Sequence, residues 1–281
     1  MDRKGTQQGG AGQSDSSIMV VTEQSPTFRK LTLLGTGTSQ GVPVIGCTCA
    51  VCSSEDPRDN RLRSAALIST PQHHILIDAG PDFRQQMLRA RVRRLDAILL
   101  THEHNDHVIG LDDVRPFNFS SGHPLSVFAQ QRVIGEVRRR FDYIFGEPIP
   151  GLPRLELHAI EEQQVLHFGD LSIEAIGVWH GRLPILGFKI ADLVYLTDVK
   201  TISDVEKKKI RYCKYLIINA LHKKNHPTHL NLQEALELIE ELAPERAWLT
   251  HLSHQMGRSE EVNALLPPGV TTAYDGLEIS F

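Results

Sequence analysis

Cysteine is scarce in this chain, four in 281 residues, so a fold organised around disulfides is excluded. Neither charge sign dominates. Thirty Lys and Arg stand against 34 Asp and Glu, a formal net charge of −4, which disfavours nucleic acid or an anionic membrane as a partner. Long apolar runs are missing too: the stretches 95–100 and 216–218 fall far short of the roughly 20 residues a spanning helix requires. The first 17 residues are polar and rich in Gly, Gln and Ser, and the apolar patch at 18–21 is too short for the core of a signal peptide. We therefore expect residues 1–27 to be a disordered leader or an expression remnant, residues 28–281 to be one domain, and the chain to be cytoplasmic. The basic runs 89–94 and 138–140 read as solvated helix faces or ends.

With 41% hydrophobic residues the chain can still bury a sizeable core. Strand-like stretches recur at 28–34, 65–69, 74–78, 96–101, 125–129, 155–160, 171–178, 186–190, 193–197, 215–220, 246–250, 271–274 and 277–281. Helical periodicity appears at 81–90, 131–141, 204–211, 231–242 and 259–265, and Asn231 with Glu234 has the spacing of a capping box. Strands recurring with helices between them predict two packed sheets flanked by helices. The Pro- and Gly-rich segment 146–153 reads as one loop.

The most informative stretch is Thr101-His102-Glu103-His104-Asn105-Asp106-His107, directly after the apolar run 95–100. Such an H-x-H-x-D-H pattern arises by chance in roughly 2 of 1,000 chains of this composition, so a metal site outweighs a run of solvated loop histidines. In extended backbone His102, His104 and Asp106 point to one side, and a turn at Asp106 brings His107 to the neighbouring side, enough for two adjacent metals. His180, Asp198, His229, His251 and His254 each follow a strand or apolar run, where a rigid scaffold ends and functional loops begin. His73, His74, His123, His158, His167, His222 and His226 read as ordinary core or surface residues. Cys47, Cys49 and Cys52 put three thiols within six residues, a spacing that favours zinc, and three thiolates leave a tetrahedral site one ligand short. His254 is the candidate fourth.

Taken in order, Asp78 in Leu76-Ile77-Asp78-Ala79-Gly80, the His102 to His107 run, His180 in Trp179-His180-Gly181, Asp198 in Leu196-Thr197-Asp198 and His251 in Leu249-Thr250-His251 resemble the signature of metallo-β-lactamase-fold hydrolases. The resemblance implies an α/β fold, a four-layer αββα sandwich. It also implies that His102, His104 and His180 hold one divalent metal, that Asp106, His107 and His251 hold a second, and that Asp198 bridges them. Asp78 would orient the His loop from behind. Imidazoles and carboxylates suit zinc or manganese, with iron(II) as a further choice.

The Cys cluster narrows the resemblance. Together with 35–43 (GTGTSQGVP), 111–117 (LDDVRPF) and 226–231 (HPTHLN) it is similar to the PhnP-like phosphodiesterases of the bacterial C-P lyase pathway, which open 5-phosphoribosyl 1,2-cyclic phosphate and carry a Cys3His structural zinc. By that likeness Cys47, Cys49, Cys52 and His254 hold the structural zinc. His229 assists the leaving oxygen and is catalytic alongside Asp106 and Asp198. The opening segment also resembles the PqqB proteins of pyrroloquinoline-quinone biosynthesis, which lack the intact H-x-H-x-D-H run. A tRNA 3′-processing endonuclease of the same superfamily is the second reading; its long basic arm has no counterpart in 144–154, which is short and contains one Arg. A lactone or thioester hydrolase comes next, and a non-catalytic metal-binding scaffold last. From charge and position alone, Arg115, and after it Lys223 or Lys224, are candidates to hold a further phosphate. The expected partner is a small-molecule phosphodiester, with neither nucleic acid nor membrane, and a homodimer is left open.

Overall fold

The computed structural model describes residues 28–147 and 149–281. The expectation for residues 1–27 lies outside the described residues. Strands β1 (Lys30–Gly35), β2 (Ala65–Ser69), β3 (His74–Ile77), β4 (Ala97–Leu99), β5 (Leu125–Ala129) and β6 (Leu155–Ala159) lie side by side in chain order in one sheet. A second sheet collects β7 (Val165–Phe168), β8 (Leu171–His180), β9 (Leu183–Ile190), β10 (Leu193–Leu196), β11 (Thr201–Ile202), β12 (Tyr215–Asn219), β13 (Arg246–Thr250) and β14 (Val270–Thr272). Its order is β11-β8-β9-β10-β12-β13-β14, with β7 on β8. The last strand, β15 (Glu278–Ser280), returns to the first sheet beside β1.

Helices α1 (Phe83–Arg89), α2 (Asn105–Val108), α3 (Arg115–Ser121) and α4 (Gln131–Arg140) accompany the first sheet, and α5 (Asp204–Ile210), α6 (Leu232–Leu242) and α7 (Ser259–Asn263) the second. Side-chain alternation along each strand sorts the core into layers. In β3, Ile75 and Ile77 join Leu31, Phe188, Tyr195 and Ile217 between the sheets, while Leu76 turns outward to Phe83, Met87 and Val133. Val194, Leu216 and Leu249 pack outward against Ile210, Leu238 and Val262. Strands covered on both sides in this way must be apolar on both faces, as the wholly buried β2, β4 and β10 are. The result is the four-layer αββα sandwich. Among the described residues no helix is long and apolar enough to cross a membrane.

The capping box forms: Asn231 Oδ1 accepts from Glu234 N, and Glu234 Oε2 accepts from Asn231 N, both at 2.9 Å. Two expectations shift. The strand expected at 171–178 continues to His180, because Gly181 at φ 62 supplies a tight hairpin turn into β9. Strands β7 and β11 and helices α2 and α3 were not anticipated, being two to seven residues long and too brief to show a period.

Candidate metal centre

Strand direction explains why distant residues meet. β3 and β4 are parallel, so Asp78 after one and residues 102–107 after the other leave the sheet at the same end. β8 and β10 both run antiparallel to β9, and β10, β12 and β13 are parallel, so His180, Asp198 and His251 share an end of the second sheet. Three of these residues sit in the left-handed region, Asp78 at φ 63, Asp198 at φ 60 and His251 at φ 55. Non-glycine residues adopt it at a cost, and it persists where surrounding structure holds it.

Asp78 is fully buried and accepts from Thr101 N at 2.8 Å and Thr101 Oγ1 at 2.9 Å. His107 Nδ1 donates to Asp78 Oδ2, the oxygen that also accepts from Thr101 Oγ1, at 2.7 Å. That bond leaves His107 Nε2 as a lone pair, buried, without a hydrogen-bond partner, 3.2 Å from Asp106 and 3.5 Å from Asp198. Burial works against charge on this imidazole, yet Asp198, Asp106 and Asp78 together draw its proton affinity well above the ordinary histidine range. An imidazole set among three carboxylates, with two of them at its free nitrogen, calls for a cation there, and a divalent metal meets that demand better than a proton.

The neighbouring rings are prepared alike. Thr101 Oγ1 gives its proton to Asp78 and so accepts from His102 Nδ1 at 3.0 Å, which bares His102 Nε2. That atom lies 3.0 Å from His104 Nδ1. His180 Nδ1 donates to the Thr228 carbonyl at 2.8 Å, baring Nε2 there too. Burial holds His102 well below its usual range and lowers His104 and His251, keeping them neutral as metal ligands must be. One ligand atom each from His102, His104 and His180 falls within 4.8 Å of the others, and the same holds for Asp106, His107, Asp198 and His251. His251 Nδ1 is 3.1 Å from Asp198 Oδ1 and 3.1 Å from Ser64 Oγ. The residues fit two adjacent divalent ions.

His229 sits over this pair, its ring 4.5 Å from His180 and 5.0 Å from His251. Its Nδ1 is buried, unpartnered, and 4.0 Å from Asp198 Oδ2. It also falls within 4.8 Å of ligand atoms of His180 and Asp198, so the same place serves a proton donor or a ligand.

The second cluster is separate. His254 Nδ1 is 3.3, 3.5 and 3.5 Å from the sulfurs of Cys47, Cys49 and Cys52. A tetrahedral zinc with ordinary Zn–S and Zn–N bonds separates its sulfur and nitrogen ligands by about 3.6 Å, so the four residues fit one. Backbone N–H groups of Val44 and Cys52 donate to Cys52 and Cys49 sulfurs, and the latter bond draws the Cys49 thiol down to about 6. His251 and His254 lie on one segment, which is pinned to 36–38 by Leu252 N to Thr36 O (2.9 Å) and Thr38 N to Leu252 O (3.2 Å).

Arg115 pairs with Asp112, whose other oxygen accepts from Tyr143 Oη. Lys223 and Lys224 are exposed on the loop leading to His229. The sequence reading passed over Ser64, Thr101 and Thr228, which fix ring orientations, and Glu103, whose side chain pairs with Arg132 and whose carbonyl accepts from Arg140. His226, an ordinary residue by its sequence, has its ring 5.1 Å from that of His229 and tilted against it by 42°.

The profile of the β-lactamase superfamily domain matches residues 73–252. A crystal structure described as a new diphosphatase from the PhnP family superposes with a TM-score of 0.85 at 38% identity, covering 90% of this chain and 97% of that one. Among curated proteins, an octanoyltransferase of Porphyromonas gingivalis is 45% identical over 249 residues, 88% of this chain and 50% of that protein. A ribonuclease Z of Bradyrhizobium is 33% identical over 145 residues, 49% of this chain and 46% of that protein. The chain thus spans about half the length of these curated relatives.

Proposed function

The chain belongs to the β-lactamase superfamily and is a metal-dependent hydrolase of the metallo-β-lactamase fold, and from that premise we propose that it hydrolyses a small phosphodiester, cyclic sugar phosphates such as 5-phosphoribosyl 1,2-cyclic phosphate included. The observation that carries this reading is the pair of adjacent ligand sets at one rim with the unpartnered His229 beside them. We assign His102, His104 and His180 to one ion, Asp106, His107 and His251 to the other, and Asp198 between them, with zinc or manganese first and iron(II) next by donor type. When bound, two such ions supply hydroxide at neutral pH and offset the charge that gathers on the attacked phosphorus.

The remaining work falls to the chain itself. Asp78, Thr101 and Thr228 fix which nitrogen of each ring faces the site, so the ligands need no reorganisation. Burial, with His251 next, pushes His229 down to about 3, so in the free protein its imidazole is neutral. An anionic diester entering the site restores negative charge beside it and raises its hold on a proton. Once His229 has taken a proton from solvent, it can give that proton to the departing oxygen.

Similarity to a diphosphatase and to a ribonuclease Z favours attack on phosphorus, and the octanoyltransferase relative favours an acyl substrate such as a thioester as the second reading. Purified protein should cleave bis(p-nitrophenyl) phosphate and cyclic sugar phosphates, with little action on p-nitrophenyl phosphate. An octanoyl thioester turned over orders of magnitude faster than any diester would replace phosphorus by carbonyl as the target. A short RNA diester preferred by a similar margin would select the endonuclease reading. We place the reaction in the cytoplasm on a diffusible small molecule.

Elemental analysis of metal-replete protein should return three ions per chain, two for the His/Asp rim and one for the Cys cluster. A single tightly bound ion would remove either the binuclear site or the structural zinc.

A further inference from the structure

We propose that the protein carries a second ligand site, for a nucleotide-sized phosphorylated molecule, on the outer face of its first sheet. The site is a cavity of about 750 Å³, within the 300–1,000 Å³ range typical of small-molecule pockets. It lies at the far end of the strands from the metal centre. His74, at the start of β3, lines it, whereas Asp78 follows the end of that strand, roughly 13 Å away at about 3.3 Å per residue.

Its charge is one-sided. Lys30, Arg89, Arg91, Arg93 and Arg94 line it, against Glu278 as the one acidic lining residue. Three of the five cations are already paired: Lys30 with Glu278 at 2.6 Å, Arg94 with Asp96 at 3.2 Å and Arg89 with Asp275 at 3.3 Å. Arg91 and Arg93 are exposed and have no partner among the described residues. They follow the end of a helix, one of the two placements the sequence suggests. Helix α1 ends at Arg89, and Arg91, at φ 54 in the left-handed region, turns the segment 90–94 into a wall of the cavity. Two free guanidinium forks on a concave surface match phosphate oxygens bidentately.

The floor differs from the wall. Leu34 and Leu67 contribute apolar surface, Thr32 and Ser69 hydroxyls, and Phe28, 55% exposed, offers an aromatic face at the rim. Phosphates against the arginines and a ring over Phe28 and the apolar floor use both halves of the cavity, which inorganic phosphate alone does not. A volume of about 750 Å³ suits one nucleotide better than a strand of nucleic acid.

The test is calorimetric titration of the full-length, metal-replete protein with ADP, alongside inorganic pyrophosphate and a single-stranded RNA oligonucleotide. ADP should bind one site per chain, more weakly as salt rises. The double variant Arg91→Glu, Arg93→Glu should weaken it at least tenfold while melting temperature and hydrolysis of bis(p-nitrophenyl) phosphate stay at wild-type values. The paired Lys substitutions should recover part of the affinity. No binding at millimolar ADP overturns the proposal. So does ADP binding that the Glu variant leaves intact and that competes with the diester, since the ligand then occupies the metal centre. Pyrophosphate binding as tightly as ADP, or RNA binding far more tightly through the same arginines, overturns the nucleotide assignment. A failure of the phosphodiester reading leaves this result untouched, because the titration needs no turnover.

Discussion

His229→Ala retains both rim metals and loses roughly 10²- to 10⁴-fold in turnover of a cyclic sugar phosphate, the usual size of a general-acid contribution. The expectation follows from the leaving group. A sugar alkoxide needs a proton as its bond to phosphorus breaks, whereas p-nitrophenoxide departs without one, so the same variant should lose little on bis(p-nitrophenyl) phosphate. The position of the ring makes the comparison decisive. His229 is near enough to His180 and Asp198 to act as a ligand, and its unpartnered Nδ1 lies 4.0 Å from Asp198. Metal content measured on the variant separates the two roles: loss of an ion makes His229 a ligand. Equal losses on both substrates with full metal content would make it a positioning group for the diester.

Cys47→Ser or Cys52→Ser should strike stability before chemistry. Their sulfurs lie 3.3 and 3.5 Å from His254 Nδ1, in a cluster whose four donors would complete a tetrahedral zinc and leave it no coordination position for a substrate. Loss of a metal site belongs with the few mechanisms that cost on the order of 4 kcal/mol or more. For a chain of this size, at about 2–4 °C per kcal/mol, that is a fall of roughly 8–16 °C in melting temperature. Zinc content should drop by one ion, and the folded fraction should retain most of its turnover per molecule. A Ser variant with wild-type melting and zinc content yet no turnover would move the cluster into the reaction.

The legibility of the site in the sequence follows the range of its contacts. His102 to His107 announce themselves because their ligand atoms sit within six residues, and the strand-end positions of Asp78, His180, Asp198 and His251 follow from the apolar runs that precede them. The groups that aim those rings are hidden. Ser64 meets His251 across 187 residues and Thr228 meets His180 across 48, and neither hydroxyl nor carbonyl carries any local mark of that role. Arg115 pairs with Asp112 three residues upstream, an i,i+3 pair visible to inspection, and its candidacy for a phosphate rests on charge and position alone. Strand β7 stayed invisible because four residues around His167 show no clear alternation before the turn into β8.

The Cys cluster joins residues 47–52 to His254, so one four-residue knot spans some 200 positions of sequence. Such a contact is non-local in the extreme, and non-local contacts form late. On the ribosome the three thiols emerge with the second strand still unmade, and their imidazole partner appears only after β1 through β13 have been synthesised. Zinc capture by the completed knot therefore follows synthesis of nearly the whole chain. Because His251 rides on the same segment, the rim's last ligand is set in place by that late closure, and an unfinished chain cannot assemble a reactive centre.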